Sequence, residues 1–122
     1  MLAQNGFAKN YTDAEYDANI KTTNGWRQQA IKCEKVSNKR HRNEEGSLQE
    51  CVKAVKMIEE STNPKAKKYL ASEAYNTGLI YYYAKHNKIK AYEYWFLAAK
   101  HGDKSASKNL SIMCKESPWA CK

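Results

Sequence analysis

Apolar residues recur along most of this chain at three- and four-residue steps, the spacing of one helix face, and no stretch reads as a convincing strand. Thr12-Asp13-Ala14-Glu15 is a capping box and predicts a short helix to about Thr23, broken by Asn24-Gly25. Trp26, Ala30 and Cys33, with Ile31 beside them, form one buried stripe on a second helix reaching about Ser37. Residues 38–46, NKRHRNEEG, are polar throughout and read as a loop. Ser47-Leu48-Gln49-Glu50 is a second capping box. It opens a helix to about Glu60 with Leu48, Cys51, Val52, Val55 and Ile58 on one face, the cleanest amphipathic pattern in the chain.

Asn63-Pro64 places an N-cap before a proline at the first helical position, where its missing N–H is harmless. The helix it starts is expected to run unbroken to about Ala84. After a short turn at His86-Asn87-Lys88, a further helix covers about Ile89 to Lys100, with Ile89, Tyr92, Trp95, Phe96 and Ala99 inward. His101-Gly102 ends it, Asp103 caps a last helix to about Lys115, and Ser117-Pro118 stops that one. The expectation is an all-α fold of five or six helices in a single domain spanning residues 1–122. Its parts are a loose lead-in at 1–12, a helical hairpin region at 13–60, a repeat region at 64–116 and a C-terminal tail at 117–122.

Residues 71–110 read ASEAYNTGLIYYYAKHNKIKAYEYWFLAAKHGDKSASKNL. Ala74, Gly78 and Tyr81 on the first helix, then Lys90, Ala91, Trp95, Phe96, Ala98, Ala99 and Gly102, then Ala106 and Leu110, resemble the Sel1-like repeat, a relative of the tetratricopeptide repeats. Thr77 stands where that pattern has Leu, one spacing near Ala74 differs by a residue, and the turn lacks the usual glycines. The resemblance implies a short solenoid of helical hairpins, a ligand-facing side lined by the first helix of each pair, and a non-catalytic adaptor role. The residue chemistry agrees independently. Gly78, Ala91, Ala98 and Ala99 permit close backbone approach, and Trp95 and Tyr81 fill the space between helices. One such repeat cannot bury its own apolar face, so it must stack on its neighbours.

Charge adds a question. The 122 residues carry 21 Lys and Arg against 13 Asp and Glu, a net charge of +8. Only Arg27, Arg40 and Arg42 are arginines. Readers of phosphate and bases favour the planar arginine fork, so a lysine-dominated excess reads as a solvated surface that steers an acidic protein partner. The segment 35–42, with Lys35, Lys39, Arg40, His41 and Arg42, is the one local phosphate-binding candidate and carries the alternative reading, a nucleic-acid-binding protein. No stretch approaches the roughly 18 apolar residues of a membrane span.

Four cysteines in so short a chain suggest an exported, disulfide-bonded domain. Four allow three connectivities. Cys33 and Cys51 each lie nine residues from Arg42, the middle of the polar loop, so a helical hairpin puts them at one height on facing stripes. Cys33–Cys51 is the pair this favours, leaving Cys114–Cys121 to pin the tail. Four buried free thiols are the alternative. The N-terminus shows no leader, so the chain is read as a mature periplasmic or secreted form with a start Met in place of a removed signal peptide. Cytoplasmic location is the runner-up.

No catalytic or metal motif is present, and His41, His86 and His101 all fall in loops or turns without ligand spacing. Glu73, on the aromatic-rich helix, is the one acid expected to be partly buried. The expectation is a protein that is not an enzyme and holds no cofactor or metal. Tyr75, Leu79, Tyr82 and His86 fall at i, i+4, i+7 and i+11 of one helix, with Tyr83, Lys85 and Lys88 nearby. These seven residues are the candidate partner-binding surface, or else the stripe packs against helix 47–60. The function expected is a non-catalytic protein-binding module, most concretely a small exported bacterial immunity protein that neutralises a toxin or effector. A general adaptor in a signalling or envelope complex is the other alternative.

Overall fold

A computed structural model describes residues 11–122 of the chain. The expected lead-in at 1–12 lies, for residues 1–10, outside the described residues. Helix α1 (Asp13–Thr22) begins with both halves of the capping box in place. Thr12 Oγ1 accepts from the Glu15 amide, and the Glu15 carboxylate accepts from the Thr12 amide. Helix α2 (Gly25–Ser37) follows, then the polar loop, then α3 (Ser47–Glu60). The second capping box is not formed. Gly46 is the N-cap, and Ser47, already inside the helix, donates its hydroxyl to the Arg42 carbonyl at 2.7 Å. The buried loop backbone needs that donor more than the helix needs a cap.

The expected long helix 64–84 is three pieces. A single turn, α4 (Pro64–Lys67), is capped by Asn63 Oδ1, which accepts from the Lys65 amide. The chain bends at Lys68-Tyr69 and restarts as α5 (Leu70–Leu79). It then widens into a π-helical turn over Ile80–Ala84, where the Lys85 amide reaches the Ile80 carbonyl. Next come α6 (Lys88–Lys100) and α7 (Lys104–Glu116), capped by Asn87 and Asp103. Gly102, at φ +96°, supplies the left-handed residue between them. A 3₁₀ turn, Pro118–Cys121, closes the chain. The described residues therefore form seven α-helices and no strand, all-α as expected but with more elements.

Helix α5 runs through the middle of the fold, contacting α2 and α3 on one side and α6 on another. Leu70 and every residue from Ser72 to Ile80 are buried. The closest approach is at Gly78, where an added Cβ would overlap the Trp95 indole. Trp95 is fully buried, and its Nε1 donates to the Tyr75 carbonyl at 3.1 Å. The buried face of α6 is Ala91, Trp95 and Ala98; of the row expected inward, Trp95 is buried and Tyr92 and Ala99 are partly buried against the core. Ile89 and Phe96 are 52 % and 53 % exposed. Small side chains bring the helices close enough for one tryptophan to fill the gap, so α6 buries its small-residue face and turns large ones outward.

Both expected disulfides are formed, with Cα–Cα distances of 4.4 Å for Cys33–Cys51 and 5.7 Å for Cys114–Cys121. The first lies fully buried against Ala54 and Ile80 and clasps the α2–α3 pair. Among the described residues no helix is long and apolar enough to cross a membrane.

Two outcomes are expected. Gly78→Ala will destabilise the protein by about 1–3 kcal/mol, because the indole has no empty space to move into. Replacing Cys33 and Cys51 together by Ser will cost about 2–5 kcal/mol. Both are read from denaturant midpoints.

Candidate functional site

The π turn decides where the tyrosines point. An ordinary helix would carry the 75–79–82–86 line straight on, whereas one widened turn rotates everything beyond Leu79. Tyr81 then leaves the chain toward α6, while the Tyr82 and Tyr83 rings meet edge to face at 4.9 Å. Tyr81 stacks on Tyr94 of α6 at 5.5 Å between centroids. Tyr82 lies 5.4 Å from the Trp95 ring, and Tyr83 sits under the Arg42 guanidinium at 4.9 Å.

Two of the seven candidate surface residues are therefore core. Tyr75 and Leu79 are fully buried. Tyr75 stacks against Trp95, and its hydroxyl is hydrogen-bonded to the Asn109 side chain of α7. Burial raises its pKa far above the usual phenol range. Tyr75 thus packs on Trp95 of α6 and reaches α7, and α5 also contacts helix 47–60. Tyr82 and Tyr83 are half-buried, with pKa values raised by burial. Lys85 and His86 are exposed at the turn, and His86 takes a left-handed backbone, φ +52°. Lys88 is not a free charge. Its Nζ donates to Ser117 Oγ at 2.8 Å and lies 6.0 Å from the Tyr82 ring and 5.9 Å from the Trp119 ring. The structure thus joins Tyr82 and Lys88 to the C-terminal tail.

Sequence reasoning missed what stands on the outside of that junction. Among the described residues the exposed large hydrophobics are Ile89, Phe96 and Trp119, the last 59 % exposed. Ile89, Tyr92 and Phe96 fall at i, i+3 and i+7 of α6, and Tyr92 stacks on Phe96 at 5.9 Å. The spacing was visible in the sequence, but it was read as the core face.

The basic loop is folded inward. Lys35 pairs with Asp17 at 2.8 Å, and Arg40 with Asp13 at 3.4 Å. His41 bridges Glu44 at 2.9 Å and Asp13 at 3.0 Å, and these carboxylates raise its pKa. Arg42 is buried, donates Nε to the Ser37 carbonyl at 3.1 Å, and has its pKa lowered by burial. Four of the five groups that made this segment a phosphate candidate are already engaged within the protein.

Glu73 is buried completely rather than partly. It accepts from Ser72 Oγ at 3.1 Å and from Asn76 Nδ2 at 3.0 Å. Burial, with Glu34 nearby, pushes its pKa well above the carboxylate range against the weaker pull of Arg27, so it is held neutral. The described residues contain no group of three metal-ligating side chains. A shallow groove of about 200 Å³ between α3 and α6 is lined by Val55, Glu59, Lys90, Glu93, Tyr94 and Leu97. Its charged rim includes the Lys90–Glu93 pair at 3.0 Å.

No known protein-family model, curated protein or solved structure matches the chain.

The buried acid generates a pH dependence. The native pKa of Glu73 lies above its unfolded value, so below about pH 4.5 both states hold the proton. As pH rises, the unfolded chain ionises first and stability falls, by at most about 1.4 kcal/mol per pH unit, up to the native pKa. In Glu73→Gln that slope will be missing. Urea midpoints of variant and parent, compared between pH 4 and pH 8, will separate progressively in the variant's favour.

Proposed function

We propose that this protein is a non-catalytic binding module that acts by covering a surface of one partner protein. The observation that carries this reading is the exposed Ile89, Phe96 and Trp119 in the lysine-rich C-terminal part of an otherwise well-buried fold. Large apolar side chains held outward beside charge are what protein interfaces use as anchors. The Sel1-like pattern over 71–110 supports a short helical-hairpin solenoid, an architecture that works by presenting surface. Two disulfides suit an oxidising compartment, and so a periplasmic or secreted location after removal of a leader.

The most concrete form of the reading is an exported bacterial immunity or inhibitor protein that binds and neutralises a toxin or effector. The inward-folded loop at 35–42 weighs against the nucleic-acid alternative, and the general adaptor reading predicts several partners instead of one.

Purification of the tagged protein from its native cells is expected to bring down one protein at equal stoichiometry. Expressing that protein in the periplasm of a test strain should arrest growth, and co-exporting this chain should restore it. Failure to recover any stoichiometric protein would overturn the binding-module reading. A partner that is harmless when expressed would overturn the immunity form of it.

A further inference from the structure

Among the described residues three large hydrophobics, all from the C-terminal part of the chain, are exposed. Ile89 and Phe96 share a face of α6 with Tyr92 between them, and Lys88, adjacent to Ile89, links that face to Trp119 through its ammonium. Trp119 is not on a loose end. Cys121 is bonded to Cys114 of α7, the Ser117 amide donates to the Met113 carbonyl at 2.7 Å, and the Ala120 amide donates to the Ser117 carbonyl at 3.0 Å. Ser117 and Ala120, on either side of Trp119, are buried. The tail is tied down at both ends and presents its indole to solvent. An aromatic anchor ordered in advance loses little further entropy on binding, which is what a docking residue requires.

The charge around this face selects its occupant. Residues 85–122 hold eight lysines against Glu93, Asp103 and Glu116, so five of the chain's eight net positive charges sit in under a third of its length. A second copy of the same face would meet it with like charge. An anionic lipid surface suits the lysines and the tryptophan. It does not suit Glu93, which is exposed on the same side of the helix, four residues after Ile89 and three before Phe96. A carboxylate in the middle of the contact is repelled by phosphate headgroups but is accommodated by a protein that offers a donor there.

We infer that the face made by Ile89, Tyr92, Phe96 and the disulfide-held Trp119 is the docking surface for an acidic protein segment with an apolar stripe. This rests on the binding-module reading and assigns it a place and a partner chemistry. The apolar side chains supply the anchors, and Lys85, Lys88 and Lys100 set orientation and encounter rate. Lys88 ties the tail to α6 through Ser117 and keeps its ammonium beside Trp119.

The test uses the full-length oxidised protein and a synthetic amphipathic helix with leucines along one stripe and glutamates flanking it. Amide shifts in a ¹⁵N NMR titration are expected to map to residues 85–100 and 117–121 and to include the Trp119 indole. Phe96→Asp with Trp119→Ser is expected to weaken binding at least tenfold while the variant keeps its helical circular dichroism and a cooperative unfolding transition, since both side chains are more than half exposed. Lys85→Glu with Lys100→Glu should weaken it by a similar factor. Lys53→Glu with Lys56→Glu, which makes the same change in net charge on α3, should not. Shifts that map elsewhere, equal effects of the two charge-reversed pairs, or binding to phosphatidylglycerol vesicles without binding to the peptide would each overturn the assignment. The stoichiometric partner recovered from native cells separates the two levels. If it binds Phe96→Asp/Trp119→Ser as tightly as the parent, the surface is wrong and the binding-module reading stands. If no partner exists, that reading itself fails.

Discussion

The fold depends on one close contact, the Trp95 indole lying on the bare backbone of Gly78. A tryptophan can bridge two helices only where the opposite helix offers no side chain, and Gly78 is where α5 does so. The indole N–H then finds the Tyr75 carbonyl, which satisfies the one polar atom that such burial would otherwise strand. From this contact the orientation of α6 follows. Ala91 and Ala98 sit one turn either side of Trp95 and let the backbones stay close, and all three are fully buried. With that face committed inward, Ile89 and Phe96 have nowhere to go but out.

Just beyond that contact the helix widens into the π turn. The run Ile80-Tyr81-Tyr82-Tyr83 puts four bulky side chains in succession just beyond Gly78. Ile80 goes inward against the Cys33–Cys51 disulfide, and the three tyrosines are shared among Tyr94, Trp95 and Arg42. A uniform α-helix would keep all of them in fixed 100° steps. One widened turn relaxes that constraint. The cation over Tyr83 comes from the polar loop, so the loop is drawn in by the aromatic cluster as well as by its own ion pairs. Charge that looked available for a phosphate backbone is thereby used to attach the α2–α3 connection to the centre of the fold.

Polar chemistry in the interior is structural in the same sense. Glu73 lies among Ser72, Asn76 and the nearby Arg27 and Glu34, and its own hydrogen bonds do not make up for the loss of water. At the C-terminal end a short disulfide loop, Cys114–Cys121, fixes residues 117–121 to α7.

Much was legible in the sequence because it is written in local terms. Helix starts at Thr12, Asn63 and Asp103, the stop at Gly102 and the all-α class follow from capping chemistry and 3.6-residue periodicity, which need only neighbouring residues. The pairing Cys33–Cys51 also followed, since two cysteines equidistant from one loop are brought level by any helical hairpin. What the sequence could not decide is which of two apolar faces a helix buries. On α6 the bulky side chains Ile89, Tyr92 and Phe96 compete with Ala91, Trp95 and Ala98 for the interior, and the row Tyr75–Leu79–Tyr82 suits a partner as well as a neighbouring helix. The choice belongs to the fit between helices. With α6 placed against Gly78, Trp95 and its small neighbours are buried, Ile89 and Phe96 are left exposed, and Tyr75 and Leu79 become core.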